Sequence, residues 1–182
     1  TLYLYQNGAY TLYTLYSTID PETIGTGVTS GCTGLLTQDM MHLFSRGVIT
    51  NRKKGFNEGK MVASAAIGSE VLYEFLHDNP SVDFRPSDYV NDPTIIARHH
   101  RMISMNVAMA MDLTGQVAAD ALPHTYFTGV SGINDFIRGS ALAEAGKSII
   151  MLTATSGTGE ELTSSIVPSL NDTADVVPRG DV

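Results

Sequence analysis

Apolar residues recur at helical spacing in several stretches of the chain, and these stretches carry helix-end signals. Over residues 35–46 the apolar positions lie three and four apart, and Gly47 suits the position that follows a helix C-terminus. Ser69 is placed to cap a second helix, and Asp92 followed by Pro93 supplies a cap and a first-turn proline for a third. The sequence predicts helices over residues 35–46, 69–77, 92–99 and 133–145.

Between these helices lie short apolar segments with strand patterns. The segment "GKMVASAAIG" predicts a strand that is buried on both faces. Residues 102–120 alternate, turn near residues 112–115 and resume, which predicts two strands. Further strands are predicted over residues 82–85, 147–152, 164–170 and 175–179. Strands that alternate with helices indicate an α/β fold with a mixed sheet.

The first part of the chain has a different pattern. The stretch "TLYLYQNGAYTLYTLY" repeats the tripeptide Thr-Leu-Tyr, and the dipeptide Asn7-Gly8 between alternating runs predicts a hairpin. Residues 20–34 are rich in glycine and predict a loop.

Composition and charge narrow the class of protein. The chain has 182 residues and is 43% hydrophobic, which suits one domain with a substantial core. Its net charge of −8 disfavours nucleic acid as a partner, because nucleic-acid binders normally present a basic face. The dense basic cluster from Arg52 to Lys54 is expected to form a solvated turn.

Cysteine usage and hydropathy bear on the compartment and on metal binding. Cys32 is the only cysteine, which excludes a disulfide framework and a zinc site made of thiolates. Since the sequence has neither an apolar run of membrane-spanning length nor a signal peptide, we expect a cytoplasmic protein without a membrane partner. His99 and His100 are adjacent and point apart on a helix, so no metal site is predicted. All five histidines are expected at the surface or partly buried.

The stretch "TGVSGINDFIRGS", residues 128–140, combines glycines with the start of a predicted helix. Backbone N–H groups from Gly132 to Asn134 would point away from the helix and bind an anion or a polarised carbonyl oxygen. The alternative is a tight turn in which Asn134 or Asp135 caps the helix. A serine-hydrolase elbow centred on Ser131 lacks its closing glycine.

Asn106 lies inside an apolar alternating strand. A buried amide without partners costs about 1–3 kcal/mol, so its side chain is expected to find hydrogen bonds. Either neighbouring backbone holds it, or it faces a cleft and donates to a ligand.

Several collinear stretches resemble the C-terminal half of the acetyl-CoA hydrolase/transferase family, which includes 4-hydroxybutyrate and butyrate:acetate CoA-transferases. They are "GVITNRKK", "GKMVASAAIGSEVLYEFLHDNPSVDFRPSDYVNDPTIIA", "ISMNVAMAMDLTGQVAAD", "TGVSGINDFIRGSALAEAGKSII" and "SIVPSL…VVPRGDV". The resemblance covers residues 30–182, which we expect to form a C-terminal-type domain that is truncated relative to the family. Residues 1–29 do not resemble the family and stay unplaced. The implied fold is the NagB/RpiA/CoA-transferase-like α/β type, with a mixed, mostly parallel sheet flanked by helices.

The resemblance also implies a chemistry. In the family a glutamate of this domain attacks an acyl-CoA thioester, and a mixed anhydride leads to a glutamyl-CoA thioester from which an acceptor acid takes the CoA. It implies that Gly129, Ser131, Gly132 and Asn134 bind the thioester end of the substrate and that Asn106 donates to its carbonyl oxygen. Coenzyme A is then a substrate, and no cofactor is expected to be bound permanently.

Three positions depart from the family pattern. Counting back from "GVITN", Gly34 falls on the nucleophilic glutamate, and the nearest downstream carboxylate, Asp39, is expected inside a helix at a different point in space. Ser131 replaces a glycine, and Ser165 stands where the family usually has arginine.

The residues and the resemblance together support two hypotheses of function. The first is a half-enzyme of a CoA-transferase or acyl-CoA hydrolase for short-chain acyl-CoA, inactive as an isolated domain. Its expected partners are a missing N-terminal domain, a small carboxylic acid and further copies of the chain. The second is a non-catalytic CoA-binding or scaffolding module of the same fold.

Overall fold

The computed structural model describes residues 32–119, 132–156 and 162–170, together with short strands at residues 5–6, 9–10, 121–122, 125–126 and 176–177. Within these residues the helices are α1 Gln38–Ser45, α2 Glu70–Leu76, α3 Ser87–Val90, α4 Pro93–Ile96 and α5 Ile133–Leu142. The first eight strands along the chain are β1 Tyr5–Gln6, β2 Ala9–Tyr10, β3 Cys32–Thr37, β4 Met61–Ile67, β5 Val82–Phe84, β6 Ile103–Val107, β7 Ala110–Asp112 and β8 Val117–Ala118. The remaining strands are β9 Ala121–Leu122, β10 Thr125–Tyr126, β11 Lys147–Met151, β12 Thr155–Ser156, β13 Thr163–Ser164, β14 Ile166–Val167 and β15 Val176–Val177.

Parallel strand pairs joined through helices dominate the architecture. β3, β4 and β5 form a parallel three-stranded sheet in which α1 and α2 lie in the connections. β6 pairs in parallel with β11, and α5 precedes β11 along the chain. β7 pairs in parallel with β14 and antiparallel with β8, which in turn pairs antiparallel with β15. The predicted α/β class with mixed, mostly parallel pairing is confirmed. Near the N-terminus β1 and β2 pair antiparallel around the Asn-Gly dipeptide.

The start of the first parallel sheet differs from the sequence prediction. The predicted loop ends earlier, and the predicted helix begins later, because Cys32–Thr37 is a strand. Cys32 aligns with Val62 of β4, so pairing with a distant strand overrides the local glycine signal. The helix end was correct, since Gly47 follows α1 with a φ of 72°.

Other element boundaries also needed correction. β4 is buried only over its first three residues, while Ile67 at its end is 60% exposed, so burial on both faces was wrong for its second half. The segment expected to form two strands forms three, because β6 pairs with β11 whereas β7 turns to pair with β8. α4 and α5 end earlier than predicted, at Ile96 and Leu142.

Two polar side chains are buried where the sequence indicated solvent. Lys54 is fully buried, and its ammonium group donates a hydrogen bond to the carbonyl oxygen of Lys60 at 2.7 Å, so the basic cluster is not a wholly solvated turn. His99 is also fully buried, with Nδ1 3.0 Å from the carbonyl oxygen of Ile96 and its ring edge-on to Phe56. Burial lowers the pKa of His99.

The apolar core is divided among the sheets. Leu36, Met61 and Leu72 belong to a cluster that joins the first sheet to α1 and α2. Phe136 of α5 packs against two smaller clusters, one around Val62 and one around Ile96. This aromatic ring therefore fixes the first turns of α5 against the first sheet and against α4.

Candidate functional site

A cleft of about 340 Å³ opens where β3, β6, the end of α3 and the beginning of α5 meet. The residues that line it are mostly small or apolar, with two asparagines among them. They are Gly34, Asn91, Asn106, Val107, Ala119, Gly132, Ile133 and Phe136. The structure thus brings together three of the predicted site residues, at positions 34, 106 and 132.

Gly34 lies within β3, and its carbonyl oxygen accepts a hydrogen bond from Oγ of Ser64 at 2.6 Å. A Cβ atom built on Gly34 would have Oδ1 of Asn91 as its nearest neighbour, at 3.9 Å. That distance is an ordinary van der Waals contact, so a side chain at this position would have room at the edge of the cleft. Asp39 is instead exposed in the first turn of α1 and does not line the cleft.

Asn106 lies on β6 opposite Ile150 of the parallel strand β11. Its Nδ2 atom is buried and has no hydrogen-bond partner within the described residues. The backbone therefore does not hold this donor, which favours the interpretation that the amide serves a ligand in the cleft. A donor buried without a partner is uncommon in folded proteins and is often found at binding and catalytic sites.

Gly132 is the residue before α5, with a φ of −73° that any residue can adopt. The reason for glycine here is close approach, since an added Cβ would lie 2.5 Å from Nδ2 of Asn91. No side chain caps α5 through a hydrogen bond at this position, so the alternative of a cap from Asn134 or Asp135 is not observed.

The other residues of the predicted glycine loop are placed less directly. Oδ1 of Asn134 is buried in the first turn of α5 and has no partner in the described part of the chain, but Asn134 does not line the cleft. Gly129 and Ser131 lie outside the described residues. Ser165 is buried outside this cleft, where its backbone pairs with Met111.

Asn91 is the lining residue that the sequence analysis missed. Its amide lies between Gly34 and Gly132, and its Oδ1 atom is buried without a partner among the described residues. The sequence offered one signal, because Asn91 directly precedes the Asp92-Pro93 pair that begins α4. Asp92 accepts a hydrogen bond from the backbone N–H of Thr94 at 2.8 Å, as predicted for a cap.

The electrostatics of the cleft favour a neutral ligand group. Among the described residues, those that line it carry no charged side chain. The positive end of the α5 dipole contributes partial charge at Gly132. Asp135, in the first turn of α5, has its pKa raised, chiefly by burial and further by Asp92, while Arg138 opposes this shift. Donors and acceptors that are neutral suit a polarised carbonyl group better than a free anion.

Two classes of site are not seen in the part of the chain that the structure describes. No three histidine, cysteine, aspartate or glutamate side chains there lie close enough together to hold a metal ion. No helix there is both long enough and apolar enough to cross a membrane.

Comparisons with known proteins relate the chain to a family. Residues 68–182 match the acetyl-CoA hydrolase/transferase C-terminal domain. The chain is 38% identical over 142 residues to 4-hydroxybutyrate coenzyme A transferase of Clostridium kluyveri, an alignment that covers 78% of this chain and 33% of that protein. The chain therefore spans about a third of the length of this relative.

Two solved structures share the fold of this chain. RipA from Yersinia pestis superposes with a TM-score of 0.80 at 29% identity, over 99% of this chain and 45% of RipA. The 4-hydroxybutyrate CoA-transferase from Porphyromonas gingivalis superposes with a TM-score of 0.66 at 34% identity, over 79% of this chain and 33% of that protein.

Proposed function

Because the chain belongs to the acetyl-CoA hydrolase/transferase family, we propose that its cleft binds the thioester end of a short-chain acyl-CoA. The chain would act as the C-terminal part of a CoA-transferase or acyl-CoA hydrolase. Its partners would be an N-terminal domain, a small carboxylic acid as acceptor and further copies of the chain, in the cytoplasm. Coenzyme A would enter as substrate.

The observation that carries this proposal is the unpartnered donor of Asn106. Nδ2 is buried beside a cleft whose rim is formed by glycines at positions 34 and 132. A thioester carbonyl oxygen placed there would accept the hydrogen bond that Nδ2 lacks. In the attack on a thioester this oxygen gains negative charge, and a donor already in place stabilises that charge.

Gly34 decides which step the chain could carry out. In the family resemblance this position corresponds to the glutamate whose carboxylate attacks the thioester, and glycine supplies no nucleophile. None of the lining residues in the described part of the chain offers a carboxylate, thiol or hydroxyl group. We therefore propose that this chain binds and polarises the thioester and that the attacking group is a water molecule or comes from another domain.

The test restores the missing carboxylate in the full-length polypeptide that carries this chain. With the nearest atom 3.9 Å from a Cβ at Gly34, the variant Gly34→Glu should fold and bring its carboxylate to the cleft. We expect it to form an enzyme-bound CoA thioester with acetyl-CoA, trapped by borohydride or hydroxylamine and detected by mass spectrometry.

Gly34→Gln is the matched control, because glutamine has the same length and no nucleophilic carboxylate. It should form no covalent adduct. If Gly34→Glu binds acetyl-CoA and also forms none, then the position does not correspond to the family's glutamate or the cleft does not hold the thioester.

The absence of a nucleophile from the described lining also favours a second candidate, a non-catalytic CoA-binding module. Calorimetry with acetyl-CoA and free CoA, combined with an assay for released thiol, separates the two. Tight binding without thiol release supports the module, and steady release of thiol supports a hydrolase.

A further inference from the structure

We infer that Asn91 binds the acyl-CoA through a hydrogen-bond donor on the ligand, next to the carbonyl that Asn106 binds; the inference rests on the proposed function. The backbone around Asn91 is held on both sides. Its N–H donates to the carbonyl oxygen of Ser87 at 2.8 Å, which ends α3, and the next residue caps α4. The amide therefore extends from a fixed point and not from a free loop.

The position of the side chain is restricted by two glycines. Nδ2 of Asn91 lies 2.5 Å, and its Cγ 3.1 Å, from the place where Gly132 would carry a Cβ. Oδ1 lies 3.9 Å from the corresponding place at Gly34. Only a residue without a side chain at position 132 leaves this amide where it is, so the glycine of the loop serves the approach of Asn91.

The side-chain oxygen of this amide accepts no hydrogen bond within the described part of the protein. Oδ1 of Asn91 is buried and without a partner there, as Nδ2 of Asn106 is. Both residues line the same cleft. A buried polar atom without a partner costs stability, and a ligand that satisfies it recovers that cost. The pair offers one donor and one acceptor, which together fit a ligand that carries a carbonyl group and an N–H or O–H group.

An acyl-CoA carries such a combination near its thioester. The arm of coenzyme A has a secondary amide two carbons from the sulfur, and its N–H is a donor. A hydroxyl group on the acyl chain is a second possible source of a donor. The shared chemistry is an N–H or O–H group a few atoms from the thioester carbonyl.

The experiment uses small thioesters that differ by one donor. S-acetyl-N-acetylcysteamine carries the amide, and S-propyl thioacetate lacks it; the propyl thioesters of 4-hydroxybutyric and butyric acid differ only in the hydroxyl. Binding to the full chain is measured by NMR titration for the wild type, Asn91→Leu and Asn91→Ala. The alanine variant provides the same readout without the bulk of leucine.

We expect both Asn91 variants to bind S-acetyl-N-acetylcysteamine about 3–10-fold more weakly, the effect of one hydrogen bond, and to bind S-propyl thioacetate as the wild type does. A selective effect on the hydroxylated thioester would instead identify the acyl hydroxyl as the donor. If the variants weaken all four ligands equally or none, the inference is wrong while the proposed function stands. If the wild type binds neither the thioesters nor acetyl-CoA, both fail.

Discussion

Replacing Asn106 by leucine should strengthen the fold and weaken ligand binding. The folded chain carries Nδ2 of Asn106 as a buried donor without a partner in the described residues, at a cost of about 1–3 kcal/mol. Leucine has a similar size and no polar atom. We therefore expect Asn106→Leu to raise the free energy of unfolding by about 1 kcal/mol or more. For a chain of this size each kcal/mol raises Tm by about 2–4 °C, measurable by thermal and urea unfolding.

The same substitution should reduce the affinity for acetyl-CoA. One hydrogen bond to a neutral carbonyl contributes about 1 kcal/mol, so calorimetry should report a Kd about fivefold higher. In the full-length polypeptide, loss of a donor to the developing oxyanion should lower turnover about 10²–10³-fold if the chain catalyses thioester cleavage.

Ser104→Ala is the matched control on the same strand. Oγ of Ser104 is buried and lies 3.0 Å from Oγ of Ser140, so its loss should destabilise the chain by about 1 kcal/mol without changing acetyl-CoA binding. The reasoning is refuted if Asn106→Leu behaves like this control, with lower stability and unchanged affinity. Asn106 would then be a structural residue of β6.

Two further predictions concern the packing of the cleft and the buried histidine. Gly132→Ala should displace the side-chain amide of Asn91, because its Cβ would lie 2.5 Å from Nδ2 of that residue, and should shift the Asn91 NH₂ signal in ¹⁵N NMR. Gly34→Ala, with 3.9 Å to its nearest neighbour, should leave that signal in place; equal shifts would contradict the geometry. Since burial lowers the pKa of His99, the unfolded chain binds the proton more readily, and stability from this group is lost as pH falls below the ordinary value of 6.5. The variant His99→Phe should remove that dependence in urea unfolding series between about pH 5 and pH 8, and an unchanged slope would count against the burial of this ring.

The element ends that the sequence predicted correctly are those set by local chemistry. Gly47 follows α1 in the left-handed conformation that glycine adopts without strain, and Asp92 caps α4 through its own side chain. The features that were predicted wrongly depend on partners outside the local helix or strand pattern. Cys32–Thr37 becomes a strand by pairing with β4, and the buried ammonium group of Lys54 donates a hydrogen bond to the carbonyl oxygen of Lys60. Neither relation is visible in a local pattern.

The candidate site also combines features that the local sequence indicates with features that only tertiary packing produces. The sequence indicated that a ligand could bind at Gly132, at the start of a helix, and that Asn106 needs a partner, and both residues line the cleft. It could not indicate that the group that approaches Gly132 is the amide of Asn91, because the two meet only after α4 and α5 pack together around Ile96 and Phe136. The contribution of Gly129 and Ser131 stays a prediction.

The central claim is that the cleft beside Asn106 receives the thioester end of an acyl-CoA. The most direct measurement is ¹⁵N NMR of the side-chain amide groups during titration with acetyl-CoA. The account predicts that the NH₂ signal of Asn106 moves on binding, while that of Asn79, whose Nδ2 already donates to the carbonyl oxygen of Phe75 at 3.0 Å, stays in place. A titration in which acetyl-CoA shifts signals elsewhere, or none, and leaves the Asn106 amide unchanged would contradict it.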